Sequence, residues 1–318
     1  MYQMYLVIFM WRVRELSLRL THLFRWAHDI MGIVLRCHAS HNACALIIIV
    51  VSSSCSLYAG GAGGDRADAF RFSGYVKSDV ASAYISTSGG LSDTRPVSTH
   101  TLGMRQNLGG FGFLDGYIWS ISALHDKQRD KHGQLFYWLE GAAHYGYNLP
   151  LWEGTLLQTK AGPYCGLPLD YVHEHNPSLG LSVAQRFDNP YVIPYWGGIW
   201  LCEPSHKGRV KAGLVKGFEL LDDLTLSVYF QPTWMDHRRY RARYGSAIEE
   251  KTIMGGAVAF ILFGMQLDWK FSDDLRFYAA VSQYDVVNRQ ARDSIKSSGH
   301  YYDKCDWPLL KMGAMLVF

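Results

Sequence analysis

The sequence predicts an all-β fold, a transmembrane antiparallel up-and-down β-barrel of about twelve strands, and three observations carry that reading. The first is composition. Aromatic residues make up 14%, with 20 Tyr and 10 Trp, there are 31 Gly, and charged residues reach only 19%, a mix suited to pleated surfaces and aromatic girdles rather than helical bundles. The second is a succession of segments of roughly ten to fifteen residues, often alternating apolar and polar, divided by turn signals. The third is that tight and long connections take turns along the chain, as they do in membrane barrels.

The N-terminal part reads as a leader. No run of about 18 apolar residues occurs, which argues against a membrane-spanning helix. The longest apolar run, Ala43 to Val51, passes into Ser52-Ser53-Ser54-Cys55-Ser56-Leu57-Tyr58-Ala59 and then Gly60-Gly61, the apolar core and small-residue cleavage zone of a secretory signal. Cleavage is expected after Ala59. Met31 and Arg36 supply the start and the charged region, which points to a translation start later than Met1 and leaves Met1 to Ile30 as an extension. The alternative is an amphipathic helix made of Tyr5 to Trp11 and the Arg-rich stretch after it. Cys55 does not read as a lipoprotein cysteine, because Ser52 stands where Leu or Val is wanted. Residues 1–59 are therefore extension plus signal peptide, and residues 60–318 the barrel.

Twelve strands are expected: Phe70 to Tyr84, Val97 to Leu108, Phe111 to Leu124, Gln134 to Leu149, Trp152 to Tyr164, Ser178 to Phe187, Val192 to Cys202, Arg209 to Leu220, Leu224 to Met235, Ile253 to Trp269, Leu275 to Val286 and Leu309 to Phe318. The tight turns are Gly109-Gly110, Pro150-Leu151, Asp188-Asn189-Pro190, Leu221-Asp222-Asp223 and Ser272-Asp273-Asp274, and the longer polar links lie between them. Alternation assigns faces, because side chains i and i+2 share one side of a strand. Leu224, Leu226, Val228 and Phe230 would face lipid and Thr225, Ser227, Tyr229 and Gln231 the lumen. Ile253 to Trp269 is apolar on both faces, which suggests an apolar patch filling the lumen or a different register.

The last strand places Leu310, Met312, Ala314, Leu316 and Phe318 on one face, with an aromatic at the C-terminus. This resembles the assembly signal of bacterial outer-membrane proteins, and the resemblance implies an outer-membrane location and recognition of Phe318 by the barrel-assembly machinery. Asp79-Val80-Ala81-Ser82-Ala83-Tyr84 with Gly89, Leu91, Ser92, Asp93 and Pro96-Val97 resembles the opening of the TorF-like outer-membrane family, over about 20 residues. Thr87-Ser88 stands before Gly89 where that family has an Arg-Gly pair after the Tyr.

Under the face assignment the pore-lining charges are Arg71, Lys77, Asp79, Arg105, Glu140, Lys160, Arg186, Asp188, Lys211, Glu219, Arg276 and Lys311, eight basic and four acidic. Two accounts compete for them: an anion-preferring channel, or a salt-bridged interior that fills a small barrel. Arg238, Arg239, Arg241 and Arg243, with His237, Tyr240 and Tyr244, form a basic and aromatic surface cluster. On an outer-membrane rim it suits the phosphates and carboxylates of lipopolysaccharide better than nucleic acid, and the net charge of +3 does not call for nucleic acid either.

Catalytic and metal signals are weak. The outer-membrane phospholipase resembles a barrel of similar size with a His-x-Ser pair, whereas His144, His173, His175 and His206 have no serine at that spacing. His173-Glu174-His175 is metal-ligand material but reads more simply as solvated loop. Cys37, Cys44 and Cys55 fall in the leader, which leaves Cys165, Cys202 and Cys305. Their spacing matches no zinc motif, and a Cys165–Cys202 disulfide at the outer rim is expected from two strand ends lying two strands apart. The chain thus reads as non-enzymatic, without cofactor or metal. The leading role is a narrow porin-like channel for small, anionic solutes. A structural or surface-interaction barrel comes second and an outer-membrane lipid hydrolase third, with oligomeric state open.

Overall fold

The computed structural model describes residues 72–85, 91–93, 96–124, 136–152, 154–168, 178–203, 207–244, 256–298 and 304–318. The expected leader, Arg71 and the His173-Glu174-His175 loop lie outside them. The strands are β1 (Phe72–Ala81), β2 (Tyr84–Ile85), β3 (Leu91–Asp93), β4 (Val97–Asn107), β5 (Phe113–Ala123), β6 (Phe136–Trp152), β7 (Thr155–Pro168), β8 (Ser178–Asp188), β9 (Ile193–Glu203), β10 (Lys207–Leu221), β11 (Leu224–Met235), β12 (Ala257–Lys270), β13 (Leu275–Val286) and β14 (Asp306–Val317). Two helices complete the described elements, α1 (His237–Tyr244) and α2 (Arg289–Ser298).

Twelve of the strands close into one antiparallel barrel in which each pairs with its neighbour in the chain, β4 pairs with β1, and β1 pairs with β14. The two short strands, β2 and β3, form a separate ribbon in the first long connection. Closure runs to the last residue: Gly74 N–H donates to the Phe318 carbonyl at 2.7 Å, and Phe318 N–H donates to Gly74 O at 2.9 Å. A closed barrel leaves no strand edge unpaired.

The turns show why the chain reverses where it does. Asn189 Oδ1 accepts the backbone N–H groups of Tyr191 and Val192 at 2.9 and 3.1 Å, which stabilises the β8–β9 turn. The turn between β6 and β7 falls at Gly154, later than the Pro150-Leu151 expected. Gly154 has φ +70°, a conformation that glycine adopts freely and proline cannot, so Pro150 and Leu151 stay in β6.

Strand pairing sorts side chains into two faces. Phe72, Val76, Val80, Leu214, Phe218, Val228, Phe230, Phe263, Met265, Val281, Leu310, Met312 and Leu316 all lie on the outer face and are substantially exposed. So much exposed apolar surface is foreign to a water-soluble monomer.

The apolar character expected on both faces of Ile253 to Trp269, the tenth barrel strand and β12 here, has a structural outcome. Residues 253–255 are outside the described set, but Phe260 and Leu262 point inward near the long-connection end. There Phe260 packs on Tyr284, with ring centroids 5.2 Å apart. Met235, Tyr240, Val286, Ala291, Ile295 and Cys305 join the cluster. Tyr240 comes from α1. Ala291 and Ile295, four apart and so on one face of α2, seal the same core. Asp236 caps α1 by accepting Arg239 N–H at 2.8 Å, and Asn288 caps α2 by accepting Ala291 N–H at 3.1 Å. Two helices therefore pack an apolar cluster against the β11–β14 side of the long-connection end.

Candidate functional site: the inner face of the barrel

Lys77, Asp79, Arg105, Glu140, Lys160, Arg186, Asp188, Lys211, Glu219, Arg276 and Lys311 all fall on the inward-facing register positions. Three arrangements organise them. The first centres on Asp115 of β5. Arg105 donates to its Oδ2 from Nη2 at 2.8 Å and from Nε at 3.2 Å, and Lys160 donates to Oδ1 at 2.7 Å. Arg105 Nη2 also reaches Gln158 Oε1 at 3.5 Å. His144 Nδ1 lies 3.6 Å from Asp115 Oδ1, with its ring stacked 6.3 Å from that of Tyr117. One carboxylate thus faces two permanent cations from β4 and β7, so this site keeps positive charge in excess.

The second arrangement lies across the closure seam. Buried Asp79 accepts from Thr99 Oγ1 and from Tyr278 Oη, both at 2.6 Å, and pairs with Lys311 Nζ at 3.0 Å. Lys77 Nζ sits 4.2 Å from the centroid of the Tyr278 ring, a cation–π contact. The third is Glu140, which is buried and accepts from Tyr164 Oη at 2.8 Å.

Other charges keep their exposure while facing inward. Arg186 pairs with Asp188 at 2.5 Å with about half of its side chain exposed. Lys211, Glu219 and Arg276 are exposed. Arg186, Asp188, Glu219 and Arg276 lie close to the tight turns and are open at that mouth, whereas Lys211 is exposed further along its strand, which shows open space beside it inside the barrel. In chemical terms the face can attract and orient anions electrostatically.

Asp115, Arg209 and Asp268 share the inward register without standing among the charges expected there, and His144, weighed in the sequence only for catalysis, faces inward with them. The signal that would have found Asp115 is its place two residues before Tyr117 on the strand opposite Arg105. Aromatic residues Phe113, Tyr117 and Trp119 also face inward on β5, and that blurs the apolar-out rule.

Two expectations are corrected. Cys202 and Cys305 are free thiols, so the Cys165–Cys202 disulfide is not formed. Both of its expected members stay inside the ladder, Cys165 in β7 and Cys202 in β9, with β8 between them. Two strand spacings are about 9.6 Å, beyond the ~7 Å Cα reach of a disulfide, and neither end is a loop that can shift. Cys305 is buried, and burial raises its thiol pKa above the ordinary value. The basic surface cluster is a helix rather than an open loop, and it is not uniformly on the surface: Arg238 is exposed, but Arg239 is buried. The side chains of Arg241 and Arg243 lie outside the described set.

A second polar group lies on the outer face, where Val76, Val80 and Leu102 are among its neighbours. His100 Nδ1 is 2.9 Å from Ser78 Oγ, His100 Nε2 is 3.2 Å from Ser98 Oγ, and Ser98 Oγ is 2.7 Å from Ser122 Oγ. His100 is not among the four histidines weighed from the sequence, and its serine precedes it by two residues, the reverse of the His-x-Ser order.

No family model matches the chain, and no curated protein matches it. The TorF-like resemblance therefore rests on the sequence quoted above alone. The solved structures to which the chain is similar include outer-membrane β-barrels. The KdgM porin shares 8% identity at TM-score 0.42, covering 77% of this chain and 99% of that one. The NanC porin shares 10% at TM-score 0.44, covering 76% and 98%. An active-site mutant of outer membrane phospholipase A from Escherichia coli shares 12% at TM-score 0.44, covering 80% and 94%.

Proposed function

We propose that the chain is a bacterial outer-membrane barrel that passes small anionic solutes passively through a narrow lumen. The observation that carries this reading is the inner face itself. Lys211 and Arg276 are exposed within it and take no part in the ion pairs described above, while Asp115 is shared by Arg105 and Lys160. Fixed cations beside open space lower the electrostatic cost of an entering anion. The exposed apolar outer face supports residence in a bilayer, as does the ladder that runs to Phe318, the residue the assembly machinery would read. On this reading the tight turns and both ends of the barrel lie in the periplasm, and Arg238 lies at the outer rim against lipopolysaccharide. Proteoliposome swelling tests transport. Faster entry of a small carboxylate than of a neutral solute of equal size supports the reading, and no entry of either opposes it.

A second reading, a closed structural barrel, is favoured by one feature. The apolar cluster of Phe260, Tyr284, Ile295 and Tyr240 narrows the β11–β14 side of the long-connection end. In that case the inner charges are structural pairs, and neither solute enters.

A further inference from the structure

The outer-face cluster of Ser78, Ser98, His100 and Ser122 calls for an account of its own. Four hydrogen-bonding side chains stand on a wall whose neighbouring outward residues include Val76 and Val80, both more than 40% exposed. Polar groups facing an apolar surround are costly unless satisfied, and these satisfy one another in a directional chain. With the His100 proton on Nδ1, the ring donates to Ser78 Oγ at 2.9 Å and its Nε2 accepts from Ser98 Oγ at 3.2 Å. Ser122 then donates to Ser98 Oγ at 2.7 Å. The strands impose this geometry. Ser98 and His100 are two apart on β4 and so share a face, Ser78 of β1 pairs with His100, and Ser122 of β5 pairs with Ser98.

We propose that Ser98 is the nucleophile of an acyl-ester hydrolase site on the lipid-facing wall, with His100 as its general base and Ser78 holding the imidazole in the productive tautomer. A hydroxyl bonded to the free nitrogen of an imidazole, whose other nitrogen is bonded to an orienting group, is the arrangement that activates serine. The depth suits a lipid ester. Ser98 is the second residue of β4 from the long-connection end, within a few ångströms of the barrel rim, the level at which ester groups join acyl chains to headgroups. The acyl chain would lie over Val76 and Val80. Ser98 is only 7% exposed whereas His100 is exposed, so the ester reaches the nucleophile past the imidazole, and single-chain esters fit better than bulky ones.

The step balances without a metal or further reagent. The Ser98 Oγ–H proton passes to His100 Nε2 as Oγ bonds to the ester carbonyl carbon, and the C=O π pair moves to oxygen. Ser122, 2.7 Å from that Oγ, can turn its hydroxyl to the oxyanion. The carbonyl re-forms, the C–O bond to the alcohol breaks, and the alkoxide takes the proton from Nε2. Water, deprotonated by the same nitrogen, then attacks acyl-Ser98. Its O–H proton returns to Oγ, and free fatty acid and enzyme are released.

The test is labelling of the folded full chain in detergent with an alkyl fluorophosphonate, followed by peptide mass spectrometry, alongside hydrolysis of a single-chain p-nitrophenyl ester. The adduct is expected on Ser98. Both readouts should be lost in Ser98→Ala and fall at least tenfold in His100→Ala. Ser78→Ala should lower kcat with KM little changed. Heat-modifiable migration on gels verifies that each variant is folded. A folded wild-type barrel that takes no label, or Ser98→Ala that labels and hydrolyses as wild type does, overturns the proposal.

Discussion

Tyr278 and Asp79 stand 199 positions apart in the chain, yet the Tyr278 hydroxyl donates to the Asp79 carboxylate at 2.6 Å. They belong to the last strand but one and the first strand, and Gly313 of β14 lies between them, paired with both. A Cβ at Gly313 would come within 2.6 Å of the Tyr278 hydroxyl oxygen and of the Asp79 Cβ, so the bond passes where only glycine leaves room. Lys311, also on β14, pairs with the same carboxylate at 3.0 Å and ties the three closing strands together.

Loss of this bond should weaken closure. Tyr278→Phe is expected to cost about 1.5–3 kcal/mol, the range for a hydrogen bond to a charged group, and Gly313→Ala should cost at least as much because several neighbours must move. Urea unfolding in detergent measures both. A Tyr278→Phe midpoint equal to wild type would show that the bond contributes nothing to closure.

Phe318 makes the terminal backbone pair with Gly74, and its ring lies over that glycine. Deleting it should lower the yield of folded barrel in the outer membrane several-fold while export continues. Undiminished heat-modifiable protein after the deletion would count against an assembly role.

Topology can be read by placing single cysteines in a background with Cys202 and Cys305 replaced. Arg238→Cys, exposed on α1, should react with an impermeant maleimide on intact cells, and Asp223→Cys in the β10–β11 turn should not. The reverse pattern would invert the barrel.

The two free thiols should differ. Cys202 is half-buried, whereas Cys305 is 3% exposed and its thiol pKa is raised by burial, with its Sγ 3.6 Å from the Arg292 carbonyl. Cys305 is therefore expected to react with maleimide at least tenfold more slowly than Cys202 in the folded protein. Equal rates would mean that the apolar cluster around Cys305 opens readily.

Much of the fold was legible in the sequence because its signal is local. Strands such as β11 alternate cleanly, so Leu226, Val228 and Phe230 point out while Ser227, Tyr229 and Gln231 point in. Turn residues marked most boundaries. What escaped depends on contacts between distant segments. Helices α1 and α2 have few apolar residues, and only packing of Tyr240, Ala291 and Ile295 against Phe260 shows their purpose. Asp115 was missed because an acid among inward aromatic residues breaks the simple pattern. The Ser–His group escaped because Ser98 precedes His100, the reverse of the His-x-Ser order, and because Ser78 and Ser122, which complete it, come from two other strands.

The central claim is a lumen that favours anions, and the reversal potential of single barrels in a planar bilayer under a KCl gradient tests it most directly. Wild type should conduct with chloride preferred over potassium. Replacing the exposed inward cations, Arg186→Glu with Arg276→Glu, should move the potential toward cation preference. A folded barrel that shows no conductance, or a potential on the potassium side that the double charge reversal leaves unchanged, would contradict the account.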